Sequence, residues 1–157
     1  MTSVLFVCLG NICRSPLAEG VFTKLVSDNR LAKQVSVDSA GTGSWHTGNP
    51  PDKRAQTTAL VHGIDISGFR ARQVSLRDFD RFEYIIAMDN SNKSDLLNLS
   101  PKSAVHRVQL FMDFSSEFFS KEVPDPYYGG DEGFEQVFSM IETGSSGLLT
   151  EIKHHYF

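Results

Sequence analysis

Cys8, Cys13, Arg14 and Ser15 stand together near the start of the chain, in the run Cys8-Leu9-Gly10-Asn11-Ile12-Cys13-Arg14-Ser15-Pro16. Cysteine is a nucleophile as its thiolate, and the thiolate is favoured where local potential is positive. Arginine can clamp two oxygens of an oxyanion at once. Before the cysteine lies Val4-Leu5-Phe6-Val7, a continuous apolar run suited to a buried strand. After the arginine, Ser15 reads as a helix N-cap and Pro16 as the first helical residue. A strand, a tight loop and a helix N-terminus collect unpaired amides and the positive end of a helix dipole in one concavity. Leu9, Gly10, Asn11, Ile12, Cys13, Arg14 and Ser15 would line a receptor for a tetrahedral dianion, with Cys8 at its floor. The alternative for Cys8 is a small buried hydrophobe ending a strand. The surrounding strand, glycine and Ser-Pro pair favour the anion site.

Displacing a phosphate ester also requires a proton for the leaving oxygen, which a thiolate cannot supply. Asp125 is the best of the nineteen acidic residues for this task. It lies in Pro124-Asp125-Pro126-Tyr127-Tyr128-Gly129-Gly130, where two prolines hold the backbone. The competing reading is that Asp125 only begins a turn.

These groups must be positioned by the rest of the chain. Leu17, Val21 and Leu25 give the first helix an apolar stripe from Pro16 to about Val26. Val35–Ser39 reads as a second strand, which makes a right-handed β-α-β unit. Glycine and proline make residues 40–51 a long loop around Trp45, which either anchors on the core or joins a binding wall. Asp52–His62 reads as a helix stopped by Gly63. In the loop at 64–74, Arg70 and Arg72 are expected to be solvated or paired with carboxylates. A short helix opens at Ser75-x-x-Asp78 and runs to about Phe82. Tyr84–Met88 is a third strand, and Asp89 caps a helix to about Leu99. His106–Phe111 is a fourth strand, and 112–130 a structured loop. A final helix from Asp131 is expected to kink or split at Gly144-Ser-Ser-Gly147. The expected fold is α/β: a three-layer, doubly wound, four-stranded parallel sheet of order 2-1-3-4 with helices on both faces. In such sheets ligands bind beyond the C-terminal strand ends, the edge shared by the loops holding Cys8, Trp45 and Asp125.

The length of 157 residues suits a single domain over 1–157. A net charge of −4 with no basic run argues against nucleic acid as partner. No apolar stretch approaches a membrane span, and no signal-peptide pattern is visible, so a soluble cytoplasmic protein is expected, with no membrane partner. Two cysteines in one loop cannot form a secreted disulfide framework. The five histidines lack metal-ligand spacing with them, so neither metal nor cofactor is expected.

The Val7–Pro16 run resembles the signature of the low-molecular-weight protein tyrosine phosphatases. Asp125-Pro126-Tyr127-Tyr128 is similar to their general-acid motif, and Ser39-Ala-Gly-Thr, Trp45-His46-x-Gly48, Pro51-Asp52, Ala71-Arg72-Gln73 and Met88-Asp89 resemble other segments of the family. The resemblance implies that Cys8 forms a phosphocysteine, that Arg14 and the loop amides bind the equatorial oxygens, and that Asp125 serves as acid and then base. It also implies that the Ser15 hydroxyl supports the thiolate. Ile12, Trp45, Tyr127 and Tyr128 would then form a rim that accepts a flat ring and makes the cleft too deep for phosphoserine. The weaker alternative is that the tyrosines are exposed loop residues that just pack on each other. The expected partners are tyrosine-phosphorylated proteins, met by a monomer or weak dimer. Cys13 would be a redox partner for Cys8, or else a buried filler thiol. Rival readings are weaker. Arsenate reductases of similar fold need further cysteines downstream. Arginine phosphatases of similar fold carry a threonine where Ile12 stands and lack the paired tyrosines. A non-catalytic phosphotyrosine reader would need neither thiolate nor acid.

Overall fold

The computed structural model describes residues 1–118 and 122–157. Strand β1 (Thr2–Cys8) pairs in parallel with β2 (Val35–Gly41) on one side and β3 (Tyr84–Ala87) on the other. Strand β4 (Val108–Leu110) follows β3, also in parallel. The order β2-β1-β3-β4 matches the expectation. β1 is central and covered on both faces, which is why its apolar run does not alternate with polar residues. Its side chains still divide by period two. Val4, Phe6 and Cys8 enter one core with Leu17, Phe22, Phe138 and Ile141. Leu5 and Val7 enter the other, with Phe79, Phe82 and Leu96.

Helix α1 spans Arg14–Asp28, so it begins two residues before the expected Pro16. Cys13 occupies the cap position without a side-chain bond, and the Ser15 hydroxyl, expected to cap, is engaged with Cys8 and Asn11 instead. Helix α2 (Lys53–Val61) is capped by Asp52, whose Oδ1 accepts from the Arg54 amide at 2.8 Å. At its end Gly63 takes φ +79°, and the amides of Gly63 and Ile64 close on the carbonyls of Leu60 and Ala59. Helix α3 is a single turn, Asp78–Arg81, shorter than expected. Helix α4 (Asn90–Leu99) has Asp89 as its cap, accepting from the Asn92 amide at 2.8 Å. β4 is also shorter than expected. Lys102–Arg107 and Phe111–Phe114 wind into 3₁₀ turns on either side of it.

Helix α5 corrects one expectation. It runs unbroken over Asp131–Tyr156. A Cβ on Gly147 would stand 1.7 Å from the Phe114 carbonyl oxygen, and one on Gly144 would stand 2.7 Å from Met112 Cε. These glycines let the second 3₁₀ turn lie directly against the helix, and that packing outweighs their poor helix propensity. Within the expected 112–130 loop, residues 119–121 lie outside the described residues. No helix among the described residues is long and apolar enough to cross a membrane.

Candidate active site

The β1–α1 loop sits at the C-terminal edge of the sheet. Asn11 adopts φ +57°, a left-handed conformation that asparagine tolerates better than most residues. The carbonyls of Cys8, Leu9 and Ile12 accept from the amides of Thr42, Gly43 and Asp52 at 2.9, 2.9 and 2.8 Å. These three loop carbonyls are therefore spent on neighbouring segments. The amides of Leu9, Gly10, Ile12, Cys13 and Arg14 find no acceptor among the described residues. β2 approaches closely enough that a Cβ on Gly41 would stand 2.8 Å from the Leu9 oxygen.

Cys8 is 3% exposed. Its Sγ lies 3.0 Å from Ser15 Oγ and accepts from the Asn11 amide at 3.3 Å. The Asn11 side chain turns away from the cleft. Its Nδ2 donates to Ser15 Oγ at 2.7 Å and to Ser39 Oγ at 3.0 Å, while its Oδ1 accepts from the Arg72 amide at 3.0 Å. Since Asn11 donates to the Ser15 oxygen, the Ser15 proton is left for Cys8. The other acceptor, the Ala40 carbonyl, is farther away at 3.4 Å. Ser39 in turn donates to Glu19 Oε1 at 2.6 Å. Burial pushes the Glu19 carboxyl up to about 7, with Asp38 adding to the rise and the Ser39 bond and Arg72 opposing it.

The Arg14 guanidinium is nearly fully buried. Its NH1 donates to Asp89 Oδ2 at 2.6 Å and to the Val123 carbonyl at 3.0 Å. Its NH2 lies 3.6 Å from Asp125 Oδ2. Burial opposes the charge, but Cys8, Asp89 and Asp125 together hold its pKa above the ordinary value. The Val123 amide donates to the Met88 carbonyl at 2.8 Å, which ties the acid-bearing loop to the end of β3. Asp125 Oδ1 accepts from the Tyr127 amide at 3.0 Å. One oxygen of Asp125 thus builds a turn, while the other faces Arg14.

The cleft has a volume of about 320 Å³ and brings Cys8, Leu9, Gly10, Ile12, Cys13 and Arg14 together with Trp45, His46, Asp125, Tyr127 and Tyr128. Trp45 is 72% exposed and lies over Gly43, where a Cβ would meet its ring at 1.9 Å. It is a wall of the cleft and not a core anchor. Tyr127 and Tyr128 do pack edge to face, with centroids 5.0 Å apart, and both also line the cleft. Both cysteines are free thiols. Burial, then the charges of Asp52, Cys8 and Asp125, push the Cys13 thiol well above its ordinary range. Arg72 bridges Asp38 and Asp78 at 3.0 Å, as a paired and not a ligating arginine.

Four contributors escaped the sequence reading: Asp89 as the partner of Arg14, the Val123 carbonyl, Glu19 behind Ser39, and His46, whose ring sits 3.0 Å from where a Gly10 Cβ would stand. Only Asp89 carried a signal, since it directly follows a buried strand at the ligand-binding edge.

The sequence model of the family described as low molecular weight phosphotyrosine protein phosphatase matches residues 3–156. The low molecular weight protein-tyrosine-phosphatase YfkJ of Bacillus subtilis is 44% identical over 153 residues, 98% of this chain and 97% of that one. The low molecular weight phosphotyrosine protein phosphatase of Homo sapiens is 46% identical over 142 residues, 88% of this chain and 87% of that one. Among solved structures, a protein tyrosine phosphatase from Entamoeba histolytica superposes with a TM-score of 0.96 at 38% identity, covering 100% of both chains. With its cysteine loop, buried arginine and facing aspartate, this chain belongs to the low molecular weight phosphotyrosine protein phosphatase family.

Proposed function

We propose that Cys8, Arg14 and Asp125 hydrolyse phosphotyrosine on protein substrates through a phosphocysteine intermediate, without a metal. The observation that carries this assignment is the convergence on one cleft of a buried thiol, a guanidinium and a carboxylate 3.6 Å from that guanidinium. Family membership makes the chain a cysteine-dependent tyrosine phosphatase; the residue roles are those the resemblance implies, and the geometry of the cleft supports them.

Asp89 and the Val123 carbonyl hold the NH1 side of Arg14, so its remaining donors face the cleft at no further ordering cost. Arg14 and the inward amides of residues 9–15 bind the three equatorial oxygens, over which transition-state charge is spread. The Cys8 sulfur attacks phosphorus in line. As the S–P bond forms, the P–O bond to the tyrosine breaks and the departing oxygen takes the proton of Asp125. A water then gives a proton back to Asp125 and attacks phosphorus, and the S–P electron pair returns to Cys8, where the Ser15 hydroxyl stabilises it. Trp45, Tyr127, Tyr128 and Ile12 flank the phenol ring.

Residues 1–157 act as one phosphatase domain, as a monomer or weak dimer in the cytoplasm, away from membranes and nucleic acid. The acidic balance and the free thiols support this. Cys13 serves as redox partner of Cys8. Peroxide oxidises Cys8 to the sulfenic acid, and the Cys13 sulfur displaces its hydroxyl as water to form a disulfide.

Purified wild type is expected to hydrolyse p-nitrophenyl phosphate at mildly acidic pH with EDTA present. Cys8→Ser should abolish turnover yet retain inorganic phosphate as a ligand. Asp125→Ala should slow esters of high-pKa phenols most. Equal slowing across leaving groups would remove Asp125 from the acid role, and an inactive wild type would remove the enzyme assignment.

A further inference from the structure

We infer that Arg54 is a positioning residue of this site, which seats the Tyr127 wall and the Asp125 loop over the nucleophile loop. Its anchor is Asp52. The Asp52 amide donates to the Ile12 carbonyl at 2.8 Å, so this aspartate is bonded directly to the nucleophile loop. The Asp52 carboxylate takes a forked pair of bonds from Arg54, with Nε on Oδ1 and NH2 on Oδ2, both at 3.0 Å. The third arm, NH1, donates to the Gly129 carbonyl at 3.3 Å. Gly129 closes a turn onto Pro126, and the Tyr127 amide bonds Asp125, so one short segment carries the acid, the aromatic wall and the carbonyl that Arg54 holds.

The guanidinium plane also faces two rings. Arg54 Cζ lies 5.4 Å from the Tyr127 centroid and 4.8 Å from that of Phe134, a fully buried residue of α5. Three separate pieces of the chain (the loop–α2 junction, the acid-bearing segment and α5) thus meet on one planar cation. A flat, delocalised fork can meet a carboxylate edge-on and rings face-on at once; an ammonium cannot. In the Asp52–Arg54 pair the arginine is about a third exposed and the aspartate mostly covered, and such a partly solvated ion pair adds little by charge alone, so its value lies in geometry. Arg54 touches none of the loop groups that receive the phosphate, so its loss should be felt at the phenol ring and the acid and not in oxyanion binding.

The inference builds on the assignment of Tyr127 and Asp125 above, and its test is arranged to separate the two. Arg54→Met and Arg54→Lys are compared with wild type by KM and kcat for a series of aryl phosphates and by the competitive Ki of inorganic phosphate. Both variants should raise the aryl phosphate KM by about tenfold and lower kcat most for high-pKa phenols. The phosphate Ki should stay within about twofold, which also shows that the nucleophile loop is folded. Lysine should rescue little, since it restores charge but not the fork. In a Tyr127→Ala background, Arg54→Met should add no more than about twofold to KM. The inference falls if phosphate Ki rises in parallel with KM, if KM is unmoved, if lysine restores wild-type values, or if the effects of Arg54→Met and Tyr127→Ala multiply. Asp125→Ala alone reports on the acid. Its failure to show leaving-group dependence would count against Asp125, while the KM and Ki comparison still decides Arg54.

Discussion

Glu19 offers a quantitative check on the hydrogen-bonded chain behind Cys8. Its carboxyl receives the Ser39 hydroxyl at 2.6 Å and is pushed by burial from an ordinary 4.5 to about 7. A group whose folded-state pKa is raised binds its proton more tightly in the folded chain. The stability so contributed is whole below 4.5 and is lost as pH rises through about 7. At 1.36 kcal/mol per pH unit the rise corresponds to about 3 kcal/mol, which partial exposure and water screening reduce to about 2 kcal/mol. Glu19→Gln keeps an oxygen to accept from Ser39 but cannot ionise. Urea unfolding followed from pH 4 to 8.5 should therefore find the variant close to wild type at the acid end. It should be more stable by about 2 kcal/mol at the alkaline end, a Tm gain of about 4–8 °C for a chain of this size. A difference between the two curves that does not change with pH, or a variant less stable at pH 8.5, would refute the burial of an ionisable carboxyl at this position.

Three further outcomes follow from the geometry. Asp89→Asn leaves the α4 cap possible but removes the charge facing Arg14, so kcat should fall about 10- to 100-fold with a stability cost of about 1–3 kcal/mol; an unchanged kcat would show that Arg14 orients itself. Gly147→Ala should destabilise by about 2–4 kcal/mol, read as a lowered Tm, because its Cβ meets backbone at 1.7 Å, whereas Gly144→Ala should cost less because the Met112 Cε it meets can move. After mild peroxide, mass spectrometry should find a Cys8–Cys13 disulfide in wild type and sulfinic acid at Cys8 in Cys13→Ser; sulfinic acid in wild type would exclude the pairing.

The strand-loop-helix at the start of the chain was legible because its signals are local. An apolar run, a left-handed-tolerant Asn11 and a Ser-Pro pair constrain backbone within a few residues, and the four strands with their parallel order follow from alternation of such segments. Local rules misread Ser15 and the Gly144–Gly147 stretch for one reason. Ser15 has the type of a cap and the glycines have the type of helix breakers, but each is spent on a tertiary contact, Ser15 on Cys8 and Asn11, the glycines on Met112 and Phe114. Sequence by itself determined the fold class, and singled out Cys8 with its loop as the candidate nucleophile and cradle and Asp125 as the acid candidate. Tertiary structure alone decided how Arg14 is aimed, because its partners Asp89 and Val123 are 75 and 109 residues away. It alone decided that Glu19 lies behind Ser39 and the Cys8 loop and that Arg54 bridges Asp52 and Gly129. Hydrogen bonds and burial between distant segments depend on where the sheet brings them together, and no periodicity or spacing records that.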